Sequence, residues 1–343
     1  MKKNVKRLLA LLACGAMAVS LAGCGATPDQ PSGAGAGADA GAAGTPDSGA
    51  AADTQGGDTT YSLGVILKTT ASEYWSYVIA GIEQAEADLG NVEVDVRGAS
   101  GDTAFEEQLN MVETVAGSNL VQALALAPLQ ADQVNNVLEG AQMPILAVDT
   151  NFEAASTFIG TGHEDAAYQG GQYVAKQIGE GGKVAVLANI QGELTSESRV
   201  AGYVRALEEG KCDIVTTQYT DGVGDKAVTV MEGVLLSHPD LDAVVCCADD
   251  VALGAARAIA SVGREGIVVC GFDGISSGVQ AVVDGQISCT VAQDPYNMGY
   301  QAVVSMVDAL EGKELPEFID TGCNVITPEN AEEYLAKLKE LVP

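Results

Sequence analysis

The sequence predicts an α/β protein of doubly wound parallel sheets, divided into two lobes. Three observations carry that prediction. Apolar runs of strand length alternate with segments of helical period from Tyr61 onward. The strand-length runs are almost continuously hydrophobic, as expected of strands covered on both faces. Nine such runs lie in the body of the chain, too many for one ordinary sheet and better divided between two.

The first 23 residues stand apart from that body. A basic start with Lys2, Lys3, Lys6 and Arg7 precedes an apolar stretch from Leu8 to Leu21, the layout of a signal peptide. As a membrane span the stretch is short against the ~20 residues required. Its ending, Leu21-Ala22-Gly23-Cys24, resembles the lipobox of bacterial lipoproteins, which implies that Cys24 is acylated and begins the mature chain. Residues 25–60 hold no Lys, Arg or large apolar side chain. Such a Gly/Ala/Asp-rich segment cannot bury enough surface to offset its ordering entropy, and residues 24–60 are expected to form a disordered tether with a root-mean-square span of about 30–36 Å. Gly35, Gly37 and Ala40 formally satisfy a dinucleotide-binding pattern, but no strand precedes them and no helix follows.

In the body, strands are expected at 61–67, 92–96, 121–127, 144–149, 183–189, 212–219, 243–248, 266–273 and 288–293. The segment 74–89 places Val78, Ile79, Ile82 and Ala85 on one helical face. Further helices are expected at 105–116, 132–138, 166–178, 197–207, 227–236, 252–262 and 298–310. Asp149, Asp273 and Gln293 each close an apolar strand, and Asp249 follows one directly. Ligands of open α/β sheets bind outside the carboxyl ends of the strands, where loops and helix starts converge. The other reading is that these residues cap the next helix. For Asp249, with Asp250 and a helix directly behind it, the cap is favoured.

Charge excludes one class of partner. The chain has 17 basic and 47 acidic residues, a formal net charge of -30. A phosphate backbone is repelled by such a surface, so no nucleic-acid partner is expected. Self-repulsion serves solubility instead.

From Tyr61 to Val325 the sequence resembles the ribose/galactose type of periplasmic binding protein. The resemblance rests on seven motifs in order: Tyr74-Trp75, Pro144-Ile-Leu-Ala-Val-Asp149, Glu180-Gly-Gly-Lys-Val184, Ser198-Arg-Val-Ala-Gly-Tyr203, Asp249-Asp-Val-Ala-Leu-Gly254, Val269-Cys-Gly-Phe-Asp-Gly274 and Thr290-Val-Ala-Gln293. It implies a type I fold, with two lobes of like topology joined by a three-strand hinge and a ligand held between them. The crossings would fall near His163, Asp294 and Val325. Residues 61–163 with 294–325 would form the N-terminal lobe, and 164–293 with 326–343 the C-terminal one. The resemblance further implies that Asp149 and Asp273 are sugar-binding carboxylates, each able to accept from two hydroxyls. Arg199 falls at a sugar-binding arginine, with a helix-surface arginine as the alternative. Gln293 falls at a hinge-side ligand amide. Tyr74 and Trp75 match an aromatic pair that packs on a sugar ring, or else staple the start of their helix.

Several positions depart from the ribose pattern. Ser72 stands where an Asn is expected, Ala127 and Ala248 where amides are expected, and Thr150 where an Arg is usual. A site built to pair hydroxyls discriminates by ~10⁴ against a ligand lacking them, so ribose itself is disfavoured. A hexose, a deoxysugar, a polyol or another small polyhydroxylated ligand fits the resemblance equally.

Cys212, Cys246, Cys247, Cys270, Cys289 and Cys323 belong to the body. Four of them lie in apolar strands and are read as reduced core thiols rather than disulfides. Adjacent Cys246 and Cys247 would point to opposite sheet faces, so no metal site is expected there. The two histidines, His163 and His238, are read as structural. Motifs for nucleotide hydrolysis, serine esterases and zincins are missing. No catalytic residue, cofactor or metal is therefore assigned.

The function expected is the lipid-anchored, extracytoplasmic solute-binding component of an ABC importer, a monomer working with a membrane permease and an ATPase. The alternative is a receptor whose closed form reports a sugar or autoinducer-like ligand to a membrane sensor. A sugar-responsive repressor is excluded, because no basic helix-turn-helix precedes the body.

Overall fold

The computed structural model describes residues 60–118 and 120–342. The expected signal peptide, Cys24 and the tether up to residue 59 lie outside the described residues. The first lobe begins β1 (Tyr61–Thr69), α1 (Glu73–Leu89), β2 (Val92–Ala99), α2 (Phe105–Ser118), β3 (Ala123–Leu126), α3 (Ala131–Leu138), β4 (Ile145–Val148) and β5 (Thr157–Gly160). The second lobe follows with α4 (His163–Ile178), β6 (Lys183–Ala188), α5 (Leu194–Glu209), β7 (Asp213–Tyr219), α6 (Gly224–Ser237), β8 (Ala243–Cys246), α7 (Asp249–Ser261), β9 (Val268–Asp273), α8 (Ser276–Val283) and β10 (Cys289–Gln293). The chain then returns with α9 (Pro295–Leu310) and β11 (Phe318–Asp320), and crosses again into β12 (Cys323–Ile326) and α10 (Ala331–Leu341).

Each lobe holds a six-stranded sheet, ordered β11-β5-β4-β3-β1-β2 in the first and β12-β10-β9-β8-β6-β7 in the second. Apart from the antiparallel pair of β10 with β12, the strand pairs are parallel. The two sheets repeat one topology. In both, the strand order reverses beside the lobe's first strand, and the crevice outside that reversal is where such sheets bind ligands.

The hydrophobic runs are continuous because both faces are covered. Along β1, Leu63, Val65 and Leu67 pack into one core, and Ile66 packs into another on the opposite face. Cys246 and Cys247 likewise enter different cores, as their adjacency requires. All six body cysteines are free thiols.

The third crossing lies earlier than expected. Residues 323–325, assigned to the N-terminal lobe on sequence, pair with β10 in the second sheet, through Gln293 with Cys323 and Val291 with Val325. The short strands β5, β11 and β12 and the helices α8 and α10 are not among the elements expected from sequence.

After the second crossing, α9 returns to pack on α1. Gly81 and Gly299 make the approach possible. A Cβ on Gly81 would overlap the Tyr296 carbonyl, and one on Gly299 would overlap the Val78 carbonyl. Gly233 in α6 is a contrast, with nothing within 4 Å of an added Cβ.

Alanine at these glycines should therefore have opposite effects. Gly81→Ala and Gly299→Ala overpack the α1–α9 seam and should cost about 1–3 kcal/mol. Gly233→Ala should stabilise by up to about 1 kcal/mol through helix propensity. Urea denaturation reads all three, and unchanged or raised stability in Gly81→Ala and Gly299→Ala would show that the seam is not close-packed.

Candidate functional site

The two sheets point their carboxyl ends at a common cleft. Its walls come from the β1–α1 segment (Lys68, Ser72, Tyr74, Trp75), Asp102, Leu129 and Asp149 of the first lobe. The second lobe adds Asn189, Ile190, Glu193, Thr195, Arg199, Asp221, Gly222, Ala248, Asp250, Asp273 and Ile275. They enclose a cavity of about 110 Å³. A cavity of about 150 Å³ holds a benzene ring, so the space matches one small ring at most.

Asp149 follows β4 directly. Its φ of 63° is unusual for a residue with a Cβ, and the Thr150 N–H closes a three-residue turn around it onto the Val148 carbonyl (2.6 Å). The His163 ring secures that turn, its Nε2 lying 2.7 Å from the Asp149 carbonyl. Because Arg199 Nε donates to His163 Nδ1 (3.4 Å), Nδ1 is the acceptor and Nε2 carries the proton. Burial, reinforced by Arg199, lowers the imidazole pKa to about 4 and keeps it neutral.

The Asp149 carboxylate accepts from the Tyr74 hydroxyl (2.9 Å) and the Thr150 hydroxyl (2.8 Å) and pairs with Lys68 (3.5 Å). Burial alone would raise its pKa, but Lys68, His163 and Arg199 outweigh burial and bring it to about 2. Asp273 ends β9 with φ 111°, a second strained carboxylate. Its Oδ1 accepts from Arg199 Nη1 (3.1 Å) and Gln293 Nε2 (2.8 Å). Here burial wins over Arg199, and the carboxyl is pushed up to about 7. Arg199 is fixed from the far side by the Phe272 ring, 4.0 Å from its guanidinium carbon, and by the Cys247 carbonyl (2.7 Å). The helix-surface alternative for Arg199 is thereby ruled out, since it is buried.

Two contacts cross the cleft. Lys68 of the first lobe reaches Glu193 of the second at 2.9 Å, and Glu193 in turn caps α5 by accepting from the Ser196 N–H (2.8 Å). Glu73, the first residue of α1, accepts from the Ser276 N–H (2.7 Å), the Ser276 hydroxyl and the Ser277 hydroxyl (3.0 Å). The start of α8 has no side-chain cap of its own, so a carboxylate from the opposite lobe supplies one.

Of the residues singled out on sequence, Ser72, Tyr74, Trp75, Asp149, Arg199 and Asp273 line one cavity. Tyr74 and Trp75 pack edge to face, 5.1 Å between centroids. Gln293 stands behind Asp273 with its amide nitrogen engaged there. Asp249 does not cap α7. It is fully buried and accepts from the Gly274 N–H (2.8 Å), the Ile275 N–H (3.0 Å) and the Thr290 hydroxyl (2.6 Å), pinning the turn that follows Asp273. The cap reading failed because the carboxylate turns inward, toward unpaired N–H groups of a neighbouring loop. Lys68, Asp102, Asn189, Glu193, Asp221 and Asp250 also line the cavity and are not among the site residues expected from sequence. Lys68 and Asn189 also end apolar strand runs, and the strand-end rule applied to them would have found both. The loop residues carried no periodic signal.

Residues 63–314 match the model of the periplasmic binding protein domain. The ribose import binding protein of Bacillus subtilis is 30% identical over 264 residues, covering 76% of this chain and 85% of that protein. The D-allose-binding periplasmic protein of Escherichia coli is 30% identical over 270 residues, covering 74% and 86%. Among solved structures, an ABC transporter solute-binding protein of Agrobacterium vitis with bound D-fucose superposes with a TM-score of 0.76 at 28% identity, covering 81% of this chain and 99% of that one. One from Bacillus halodurans with bound myo-inositol gives 0.76 at 26% identity, covering 82% and 99%.

The Lys68 cluster makes the fold acid-sensitive in a defined window. Glu193, like Asp149, is held at about 2, because Lys68 and the Thr195 and Ser196 donors outweigh burial. Both folded values lie below the ordinary ones of 4.5 and 3.8. Their stabilisation is therefore present above about pH 4.5 and lost as pH falls toward 2. Lys68→Gln should lower stability at pH 7 by about 3–5 kcal/mol, as removing one partner of a buried pair does. It should also move the acid-unfolding midpoint to higher pH. Circular dichroism against pH and urea reads both, and coincident curves for variant and parent would remove Lys68 from this role.

Proposed function

The chain belongs to the periplasmic binding protein family, and on that premise we propose that it captures a monosaccharide or similar small polyhydroxylated ligand between its lobes as the solute-binding component of an ABC importer. The observation that carries this reading is a small cavity at the carboxyl ends of both sheets, walled by Asp149, Arg199 and Asp273 beside the Tyr74–Trp75 pair. Carboxylates and a guanidinium meet hydroxyls edge-on, and aromatic faces meet the apolar faces of a sugar ring. The ribose- and allose-binding relatives and the D-fucose and myo-inositol complexes support this ligand class.

A ligand that touches both lobes favours the closed form by its differential affinity. The closed form is what the permease engages, while an ATPase on the other membrane face drives transport. The chain stays outside the cytoplasm, held to the membrane by the acylated Cys24 and a tether long enough to keep the body clear of the surface. It acts as a monomer and without chemistry on its ligand. No helix among the described residues is long and apolar enough to cross a membrane.

Fluorescence of Trp75, the single tryptophan, tests the reading. The purified chain titrated with pentoses, hexoses, deoxysugars and polyols should respond saturably to one class and return the sugar unmodified. The melting temperature should rise, with a stabilisation of about 2.7 kcal/mol at a hundredfold excess over Kd. Asp149→Asn and Asp273→Asn should each weaken binding about 10–100-fold, the range of a hydrogen bond to a charged group. Silence across the panel with unchanged melting would dismiss a simple sugar or polyol.

A further inference from the structure

Ser72, Tyr74 and Trp75 line the cavity, but Glu73 between them does not. Its carboxylate instead reaches the second lobe, where it accepts from the Ser276 N–H (2.7 Å), the Ser276 hydroxyl and the Ser277 hydroxyl (3.0 Å). The opposite wall has the same layout. Asp273 and Ile275 line the cavity, and Ser276 is the next residue along the chain. The contact therefore ties together the two backbone segments that carry cavity-lining side chains on either side of the cleft.

Two features fit Glu73 to that position. Neither α1 nor α8 is capped by the side chain of its own N-cap residue, so each start presents N–H groups and the positive end of a helix dipole. Closing brings these like ends together. Glu73 stands in the first turn of α1 and touches the first residue of α8, so one carboxylate supplies the negative charge that both ends favour. It is also aimed beforehand. Buried Tyr77, one turn along α1, donates its hydroxyl to Glu73 Oε1 (3.2 Å), and less side-chain freedom is lost on closing. None of Glu73, Tyr77, Ser276 and Ser277 lines the cavity, so a ligand neither supplies this contact nor displaces it. Glu73 and Ser276 are half-buried and Ser277 is exposed, which keeps water at its edge and leaves it free to open.

We propose that Glu73 is a positioning residue for ligand capture, a clasp that draws the lobes shut by protein groups alone, to which the ligand adds its own contacts. The consequence for affinity rests on the ligand-capture reading above, whereas the closing itself does not. The apparent Kd is the Kd of the closed form divided by the closed fraction, so a clasp that raises this fraction tightens binding from outside the cavity. Glu73 thus sets how firmly every ligand is held without choosing among them.

Acrylamide quenching of Trp75 in the purified chain reads closure with no ligand added, because this side chain is 4% exposed in a cavity walled by both lobes. Glu73→Ala should raise the quenching constant about twofold or more as the closed fraction falls. Glu73→Gln, which keeps an acceptor, should fall between parent and Glu73→Ala. The Ser276→Ala/Ser277→Ala double variant, on the other lobe and far from Trp75 in sequence, should also raise it, and circular dichroism checks that each variant is folded. With the sugars and polyols that bind the parent, Glu73→Ala should weaken every Kd by one common factor of about ten, within the range of a lost helix cap. Unchanged quenching in Glu73→Ala would overturn the clasp. A rise in Glu73→Ala that the double serine variant does not share would also overturn it, and make Glu73 a local support of the α1 start. Losses that differ from ligand to ligand would overturn the positioning role in favour of direct contact. Failure of every sugar and polyol to bind would remove the ligand-capture reading, with the quenching result still deciding whether the clasp stands.

Discussion

Two buried cations allow charged groups to stand in the gap between the lobes. A carboxylate at the end of a strand, shielded from water by a second lobe, would ordinarily take up a proton. Lys68 keeps both Asp149 and Glu193 charged, and these two lie on opposite sides of the cleft. One ammonium thus fixes a strand end of the first lobe and a helix start of the second. Arg199 serves the other wall less completely, because Asp273 is so deeply desolvated that its carboxyl still rises to about 7. The two carboxylates that look alike in sequence therefore differ in protonation behaviour. One is a fixed charge, and the other is poised near neutrality.

The rest of the architecture serves to hold those groups in place. Positive φ at Asp149 and Asp273 turns each side chain out of its strand direction, at a typical cost of about 1–3 kcal/mol. Both strained turns have dedicated supports. His163 binds the Asp149 carbonyl from the first crossing, and Asp249 holds the backbone N–H groups that follow Asp273. Strain of this kind persists only where surrounding structure over-determines it, and here the supports are themselves buried.

Closure has a visible chemical basis too. The α8 start borrows its cap from Glu73 of the other lobe, and Lys68 and Glu193 pair across the same gap. Opening would return an uncapped helix end and a separated ion pair to water, where neither is costly. Closing makes both contacts, and a ligand that touches both lobes adds its differential affinity to them.

Much of this was legible before any coordinates. Continuous apolar runs, their alternation with helical segments and their number dictated two parallel sheets, because strands covered on both faces leave no other pattern. Polar residues at strand ends pointed to the cleft, since that is where a parallel sheet exposes its carboxyl ends. Only the tertiary structure decided what those residues touch. Lys68 and Glu193 are 125 positions apart and Glu73 and Ser276 are 203 apart, and no local period encodes such pairings. Asp249 shows the same limit from the other side. A carboxylate before a helix reads as a cap, and only the packing of β9 and β10 around it reveals that it is a buried support for the neighbouring loop.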